Sequence, residues 1–142
     1  MYTHQYAFGL FALAPIAALG IVACVSATPV TPAPIAADQL PKLQAALLGS
    51  CQVLHRKSPG GEMRDARGLH FVFTSDGKFV WRMETPFGMS KSAWTYQLDG
   101  RNIVNTSTYE TIRVDDYGSD TLELFLYDIS ETYYCSKEPS AA

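Results

Sequence analysis

Few residues in this chain could carry chemistry. It has three cysteines and three histidines among 142 residues, and their spacing matches no zinc module. His55 and His70 fall in predicted strands, where a lone histidine is usually structural. The sequence contains no Gly-x-Ser-x-Gly elbow and no cysteine beside a histidine, so the nucleophile–base pair of a hydrolase is missing. We therefore expect a protein that is not an enzyme and that uses no metal or cofactor.

The charged residues point the same way. Five carboxylates cluster around two predicted turns, but no ordered ligand loop such as an EF-hand accompanies them, so solvation of the turns explains them better than Ca²⁺ binding. They are Asp115, Asp116, Asp120, Asp128 and Glu131. The net charge is −3 and no run of Lys or Arg occurs, which argues against nucleic-acid binding by counterion release. With 47% hydrophobic and 18% charged residues, the composition is that of one globular domain.

The N-terminal region predicts export from the cytoplasm. No Lys or Arg precedes Lys42, and residues 7–23 form an uncharged, mostly apolar run. This run is short for a membrane-spanning helix, which needs about 20 residues, and it suits the apolar core of a secretory signal peptide. The first six residues carry only the α-amino group and His4, where Lys or Arg is usual, so an uncleaved anchor is the alternative.

The run ends in Ile21-Val22-Ala23-Cys24, which resembles the cleavage box of bacterial lipoproteins. The resemblance implies a signal peptide over 1–23, cleavage before Cys24 and lipidation of that cysteine. Ordinary cleavage after Ala27 is the alternative. Val25, in place of Asp, implies sorting to the outer membrane, facing the periplasm, in a Gram-negative cell. Residues 24–37 hold three prolines, which favour an extended tether.

The folded domain is predicted over 38–138, with a disordered tail over 139–142. Asp38 is expected to cap a short helix, with Pro41 in its first turn and Gly49 just past its end. Alternating apolar residues and turn signals such as Asp76-Gly77 and Asp99-Gly100 then predict strands and no further helix. The eight predicted strands are 51–57, 69–74, 78–84, 92–98, 102–107, 109–115, 121–127 and 132–137.

Short sequential hairpins favour an all-β, eight-stranded antiparallel up-and-down barrel, because closure removes the exposed sheet edges. A two-sheet β-sandwich is the alternative. In a closed barrel the last strand pairs with the first, which brings Cys135 near Cys51. If Cys24 carries lipid, these are the two remaining cysteines, and an oxidising compartment predicts a disulfide between them. Two separate buried thiols remain the alternative.

This plan resembles the lipocalin-like domains of small bacterial lipoproteins. The resembling segments are residues 47–53, 73–79, 94–100 and 133–135. The sequence departs from the lipocalin Gly-x-Trp motif, since Cys51 stands where the Trp is expected. In the resembling domains a basic residue of the last strand packs on that Trp, and Lys137, the candidate for this role, lacks the Trp. The resemblance implies a barrel whose open mouth holds a small molecule and is covered by the first long loop.

The predicted barrel interior is strongly aromatic. We expect its ligand-binding residues to be Phe71, Phe73, Phe79, Trp81, Trp94 and Tyr96. An eight-stranded barrel can fill itself with side chains or hold one small ligand, and the large residues leave a packed core as the alternative. The sequence thus predicts an exported, lipid-anchored protein of the cell envelope, a monomer, that binds a small apolar ligand or lipid.

A second hypothesis uses the barrel only as a scaffold. Met63, Phe87 and Met89 lie in two predicted loops and would form a binding patch if they were exposed together. The protein would then be a periplasmic inhibitor or immunity-type lipoprotein that binds an envelope protein.

Overall fold

A computed structural model describes residues 31–139, which form the closed antiparallel β-barrel with one short helix that the sequence predicts. A 3₁₀ turn, Ala37–Gln39, leads into helix α1, Leu40–Leu47. The strands are β1 Gly49–Lys57, β2 Met63–Asp65, β3 Leu69–Phe73, β4 Lys78–Thr85, β5 Gly88–Asp99, β6 Asn102–Asn105, β7 Thr111–Tyr117, β8 Thr121–Leu126 and β9 Glu131–Lys137.

β1 pairs antiparallel with β3, each strand from β3 to β8 pairs antiparallel with the next, and β9 returns to pair with β1. In that last pair Val53 lies opposite Cys135. These strands and β1 make the eight of the barrel, while the three-residue β2 adds to one end of β1. The sandwich alternative is therefore excluded, because a sandwich would not close first strand on last.

Both Asp-Gly turns are confirmed. Gly77 and Gly100 have φ values of 79° and 57°, a region that glycine reaches without the steric cost of a Cβ atom. These turns join β3 to β4 and β5 to β6, at the same end of the barrel as α1.

Helix α1 covers that end. Leu43 and Leu47 are fully buried against the barrel, whereas Leu48 at the helix end is 39% exposed. The Lys137 ammonium group at the end of β9 donates hydrogen bonds to the backbone oxygens of Ala46 and Leu48, the latter at 2.6 Å. Such a cation at a helix C-terminus satisfies carbonyls that lack intrahelical partners.

The predicted cap of the helix is wrong in detail. Asp38 lies in the 3₁₀ turn and Gln39 occupies the N-cap position, where its side chain forms no capping hydrogen bond with the described part of the chain. Pro41 does lie in the first turn, where its missing N–H costs no hydrogen bond. The 3₁₀ turn already places Asp38 in helical conformation, so its side chain cannot take the extended N-cap geometry.

The core fills most of the barrel. Phe71, Phe73 and Phe79, which the sequence predicts to point inward, are buried. The same face of the wall also buries Val53, Ile112, Val114, Leu122, Leu124 and Leu126. Met83 is half exposed because β4 and β5 extend beyond the rest of the wall. Leu43, Leu47, Ile103 and Tyr133 complete the core.

The two thiols differ from the prediction. Cys51 and Cys135 lie on the paired strands β1 and β9, as expected, but both are free and buried. Cys51 is opposite Lys137, and Cys135 is opposite Val53, so the two cysteines are diagonal neighbours. Diagonal Cα atoms lie about 7–8 Å apart, beyond the usual disulfide span. The adjacent Cys51 thiol and burial raise the pKa of Cys135.

The predicted signal peptide, Cys24 and the first half of the tether lie outside the described residues, as do residues 140–142 of the tail. Helix α1, the one α-helix among residues 31–139, has eight residues and is too short to span a bilayer. No group of three or more His, Cys, Asp or Glu side chains in this range is arranged to hold a metal ion.

Candidate ligand site at the open end of the barrel

The two ends of the barrel differ. Helix α1 and the turns after β3 and β5 cover one end. The other end carries the loops that follow β1, β4, β6 and β8, and no helix covers it within residues 31–139. We call these the closed end and the open end. The open end is where a molecule could reach the interior.

A chain of aromatic rings runs through the interior toward the open end. Phe73 meets Phe79 with ring centroids 4.9 Å apart, and Phe79 meets Trp94 at 4.6 Å. Trp81 packs 5.0 Å from Phe71 and 6.0 Å from Tyr133. Phe71, Phe73 and Phe79 are fully buried and form the floor of the site, whereas Trp81 and Trp94 are partly exposed above it.

A cavity of about 220 Å³ opens beside both tryptophans. Its lining consists of Phe79, Trp81, Trp94, Glu110, Thr111, Ile112, Leu126, Asp128 and Ile129. Apolar and aromatic side chains dominate, and two carboxylates are the charged members. A mostly apolar wall with a few polar groups is the usual composition of a small-molecule site.

The cavity exists because β6 is short. This strand pairs with residues 96–99 of β5 only, and among the described residues no strand pairs with residues 88–94 on that side. We call this unpaired stretch the free edge of β5. The wall between β5 and β7 is therefore open near the tryptophans, and the loop between β6 and β7 borders the opening.

Asn105 ends β6 and fixes that loop. Its side-chain oxygen accepts hydrogen bonds from the backbone N–H groups of Ser107, at 2.9 Å, and Thr108, at 3.3 Å. The Asn105 backbone N–H donates to the Glu110 carbonyl at 2.8 Å. An asparagine that bonds its own following backbone offers the chain a turn in place of a longer strand. The turn thereby sets where Glu110 stands at the cavity.

The loop between β8 and β9 supplies the other carboxylate. Ser130 has a φ of 52°, and its N–H donates to the Tyr127 carbonyl at 3.3 Å. This tight turn places Asp128 and Ile129 at the cavity. Glu110 and Asp128 form no salt bridge with any of the described residues.

A second cavity, of about 440 Å³, lies on the other side of Trp81. Its lining consists of Arg56, Asp65, Ala66, Arg67, Gly68, Leu69, Trp81, Met83, Glu84 and Tyr133. The Trp81 side chain is common to both cavities and stands between them. The open end therefore offers two adjoining compartments with one shared aromatic wall.

Ion pairs order the polar side of the second cavity. The Arg67 guanidinium bonds both carboxylate oxygens of Asp65, with a shortest distance of 2.6 Å, and holds the pKa of that exposed carboxyl down at about 2. Glu131 accepts hydrogen bonds from the Tyr133 hydroxyl at 3.0 Å and from Arg56 at 3.4 Å. Burial raises the pKa of Tyr133. The cations of this cavity are thus already paired.

The six predicted ligand-binding residues separate into three groups. Phe79, Trp81 and Trp94 line the first cavity. Phe71 and Phe73 are packed into the core, which the sequence left open as the alternative for the interior. Tyr96 lines a depression at the closed end.

Sequence reasoning missed other residues of the site. Tyr133 could have been found from strand alternation, since it lies two residues before the buried Cys135 and so shares its face. Glu110 and Asp128 could not, because only the turn geometry brings them to the cavity. The position of Asp128 in a predicted turn indicates only solvation of that turn.

The predicted loop patch is exposed but lies on two separate elements. Phe87 is fully exposed at the tip of the hairpin between β4 and β5, and Met89 beside it is half exposed. Met63 belongs to β2, where it borders a shallow depression with Leu54 and His55. The first long loop therefore folds partly as a strand along the last residues of β1, and only its final residues line the second cavity.

Comparison with known proteins identifies the fold. No protein-family model and no curated protein matches the chain. Among solved structures, a lipocalin-like protein from Bacteroides uniformis ATCC 8492 matches with a TM-score of 0.56 at 18% identity, covering 66% of this chain and 99% of its own. The fold is lipocalin-like.

A second solved structure, an uncharacterized protein from Bacteroides eggerthii DSM 20697, matches with a TM-score of 0.54 at 13% identity. It covers 65% of this chain and 99% of its own. Identities this low support the shared lipocalin-like fold and nothing about the ligand.

Proposed function

We propose that this protein binds a small apolar molecule or lipid, without catalysis, in the open end of its lipocalin-like barrel. The observation that carries the proposal is the apolar cavity beside Trp81 and Trp94, in a barrel whose opposite end is closed by α1. Burial of apolar ligand surface against such walls contributes about 25 cal/mol per Å² before the costs of association.

We further propose that the protein acts at the cell envelope, anchored by lipid on Cys24. The described part of the tether determines how a barrel anchored in this way would be oriented. The Ala33 carbonyl accepts a hydrogen bond of 2.7 Å from Arg101, in the turn between β5 and β6, and Ile35 packs against the core. The tether thus joins the barrel at its closed end, so an anchored barrel would turn its open end away from the membrane.

Native mass spectrometry of the mature protein, purified from envelope extract without denaturation, tests ligand binding. We expect a bound small mass that is released on unfolding. Ile129→Asn should lose this mass, because Ile129 lines the cavity from a half-exposed turn and its replacement spares the core. Leu54→Asn, the same kind of aliphatic-to-asparagine change at an exposed position outside both cavities, should retain the bound mass. Ligand-free wild-type protein, or equal loss in both variants, would contradict the proposal.

Fractionation tests the anchor separately. Cys24→Ala should move the protein from the membrane fraction to the soluble fraction, and wild-type protein should carry the added mass of lipid at its first residue. Membrane retention of the Cys24→Ala protein would indicate an uncleaved apolar anchor instead.

One observation favours a second candidate function. Phe87 is fully exposed at the tip of the long hairpin between β4 and β5, with Met89 and Met83 exposed nearby. Apolar side chains grouped at a projecting tip are typical of a protein contact. A binder of an envelope protein would therefore co-purify with that protein, and Phe87→Ser would remove the partner without changing the small bound mass.

A further inference from the structure

The lining of the first cavity selects among apolar ligands. Three aromatic residues, Phe79, Trp81 and Trp94, line it together with two exposed acidic residues, Glu110 and Asp128. Within residues 31–139, no Lys or Arg lines this cavity. All the formal charge of its lining is therefore negative, and an aromatic ring presents the negative side of its quadrupole at its face.

Both features favour one kind of ligand. An ammonium group is attracted to the face of an aromatic ring, most strongly to that of Trp, and this attraction grows as water is excluded. A carboxylate with no cation partner lowers the energy of the same group by Coulomb attraction. Neither feature stabilises a neutral molecule to the same extent, and both oppose an anion.

The second cavity shows the contrast. There Arg67 is paired with Asp65 and Arg56 with Glu131, so its charges are balanced by other side chains of the protein. Around the first cavity the balancing cation is missing among the described residues, although its two carboxylates come from different loops that separate turns hold in place.

We propose that the first cavity binds small organic cations, in which a protonated amine is attached to an apolar or aromatic body. The amine would lie at the border, between the two carboxylates and the tryptophan faces, and the apolar body would lie over Phe79, Ile112 and Leu126. This inference rests on the proposed function, because it assigns a ligand class to the same cavity.

The test uses three probes of similar shape and different charge: phenethylammonium, 2-phenylethanol and phenylacetate. The chain has two tryptophans and both line the cavity, so intrinsic fluorescence reports occupancy directly. The mature protein is titrated on phosphatidylcholine vesicles, with protein-free vesicles as the blank. We expect phenethylammonium to bind about tenfold more tightly than the alcohol, with phenylacetate weakest.

A double variant isolates the carboxylates. Glu110→Gln with Asp128→Asn should reduce the preference for the cation over the alcohol to about threefold, the part left to the aromatic faces, while the affinity for the alcohol stays within about twofold. Asp76→Asn with Asp120→Asn changes the net charge equally but lies in closed-end turns, and it should keep the full preference.

Each result separates the two claims. If the alcohol binds as tightly as the ammonium, the ligand class is wrong and the apolar site stands. If the double variant keeps the full preference, or the closed-end control loses it equally, the assignment to Glu110 and Asp128 is overturned. If none of the probes binds, both the ligand class and the proposed apolar site fail.

Discussion

Substitution by alanine should affect the stability of the fold very differently at the two asparagines of β6, Asn102 and Asn105. The Asn105 side chain is only 3% exposed, and its oxygen accepts hydrogen bonds from two backbone N–H groups of the loop that carries Glu110. The Asn102 side-chain oxygen, at the other end of the strand, is buried without any hydrogen-bond partner among the described residues.

Removal of the Asn105 amide leaves two N–H groups of a tight turn without their acceptor. Each such hydrogen bond contributes about 1 kcal/mol net, so Asn105→Ala should lower the free energy of unfolding by about 2 kcal/mol. For a domain of this size the melting temperature should fall by about 10 °C. Asn102→Ala removes a buried oxygen whose desolvation no hydrogen bond offsets. This substitution should change the free energy of unfolding by less than about 0.5 kcal/mol, or raise it.

Urea unfolding followed by tryptophan fluorescence measures both variants. With a slope of about 2 kcal/mol per molar, Asn105→Ala should lower the midpoint by about 1 M at unchanged slope. The same variant should weaken the preference for phenethylammonium, since the loop that places Glu110 has lost its support. Equal destabilisation by the two substitutions, or none by Asn105→Ala, would refute the assigned role of the turn.

Three further outcomes follow from the structure. Leu47→Ala should cost about 3 kcal/mol in thermal or urea unfolding because the side chain is fully buried, whereas Leu48→Ala should cost under about 1 kcal/mol; equal costs would show that α1 does not pack as described. Lys137→Met should lower stability by about 2 kcal/mol, since the helix carbonyls lose a charged donor, and unchanged urea unfolding would contradict that contact. In an NMR titration the Asp65 carboxyl should have a pKa of about 2. Its pairing with Arg67 therefore stabilises the fold fully above the unfolded pKa of 3.8, and this stabilisation is lost as the pH falls through about 2. Arg67→Ala should return the pKa of Asp65 toward 3.8, and a pKa unchanged by that substitution would refute the pairing.

Much of the barrel could be predicted from the sequence because its signals are local. Alternation placed Phe71, Phe73 and Phe79 on the buried face, and the two Asp-Gly turns fixed the hairpins on which register depends. The strand β2 was missed because its three residues are all exposed and carry no alternation.

The site was less accessible to sequence reasoning. Trp81 and Trp94 were recognised as inward residues, but whether they line a cavity depends on the length of β6, which the Asn105 turn shortens by two residues relative to the predicted strand. The disulfide prediction shows a similar limit. The predicted pairing of β1 with β9 was correct. The register of that pair, however, differs by two residues from the one that would place Cys51 directly opposite Cys135, so the two cysteines are diagonal neighbours.

The free edge of β5 has a consequence for how a ligand enters. The Thr106 N–H donates to the Thr95 carbonyl, so alternation along the strand directs the backbone groups of Met89, Lys91 and Ala93 to the same, unpaired side. Their amides should exchange with deuterium far sooner than those of the paired half of β5. Among the residues that the structure describes, no ladder hydrogen bond joins β5 to β7 at this level of the wall, so the two strands can separate there without breaking one. A ligand would then enter sideways through the wall. The size of the largest ligand that could enter would be set by how far β5 and β7 can separate, and not by the number of strands in the barrel.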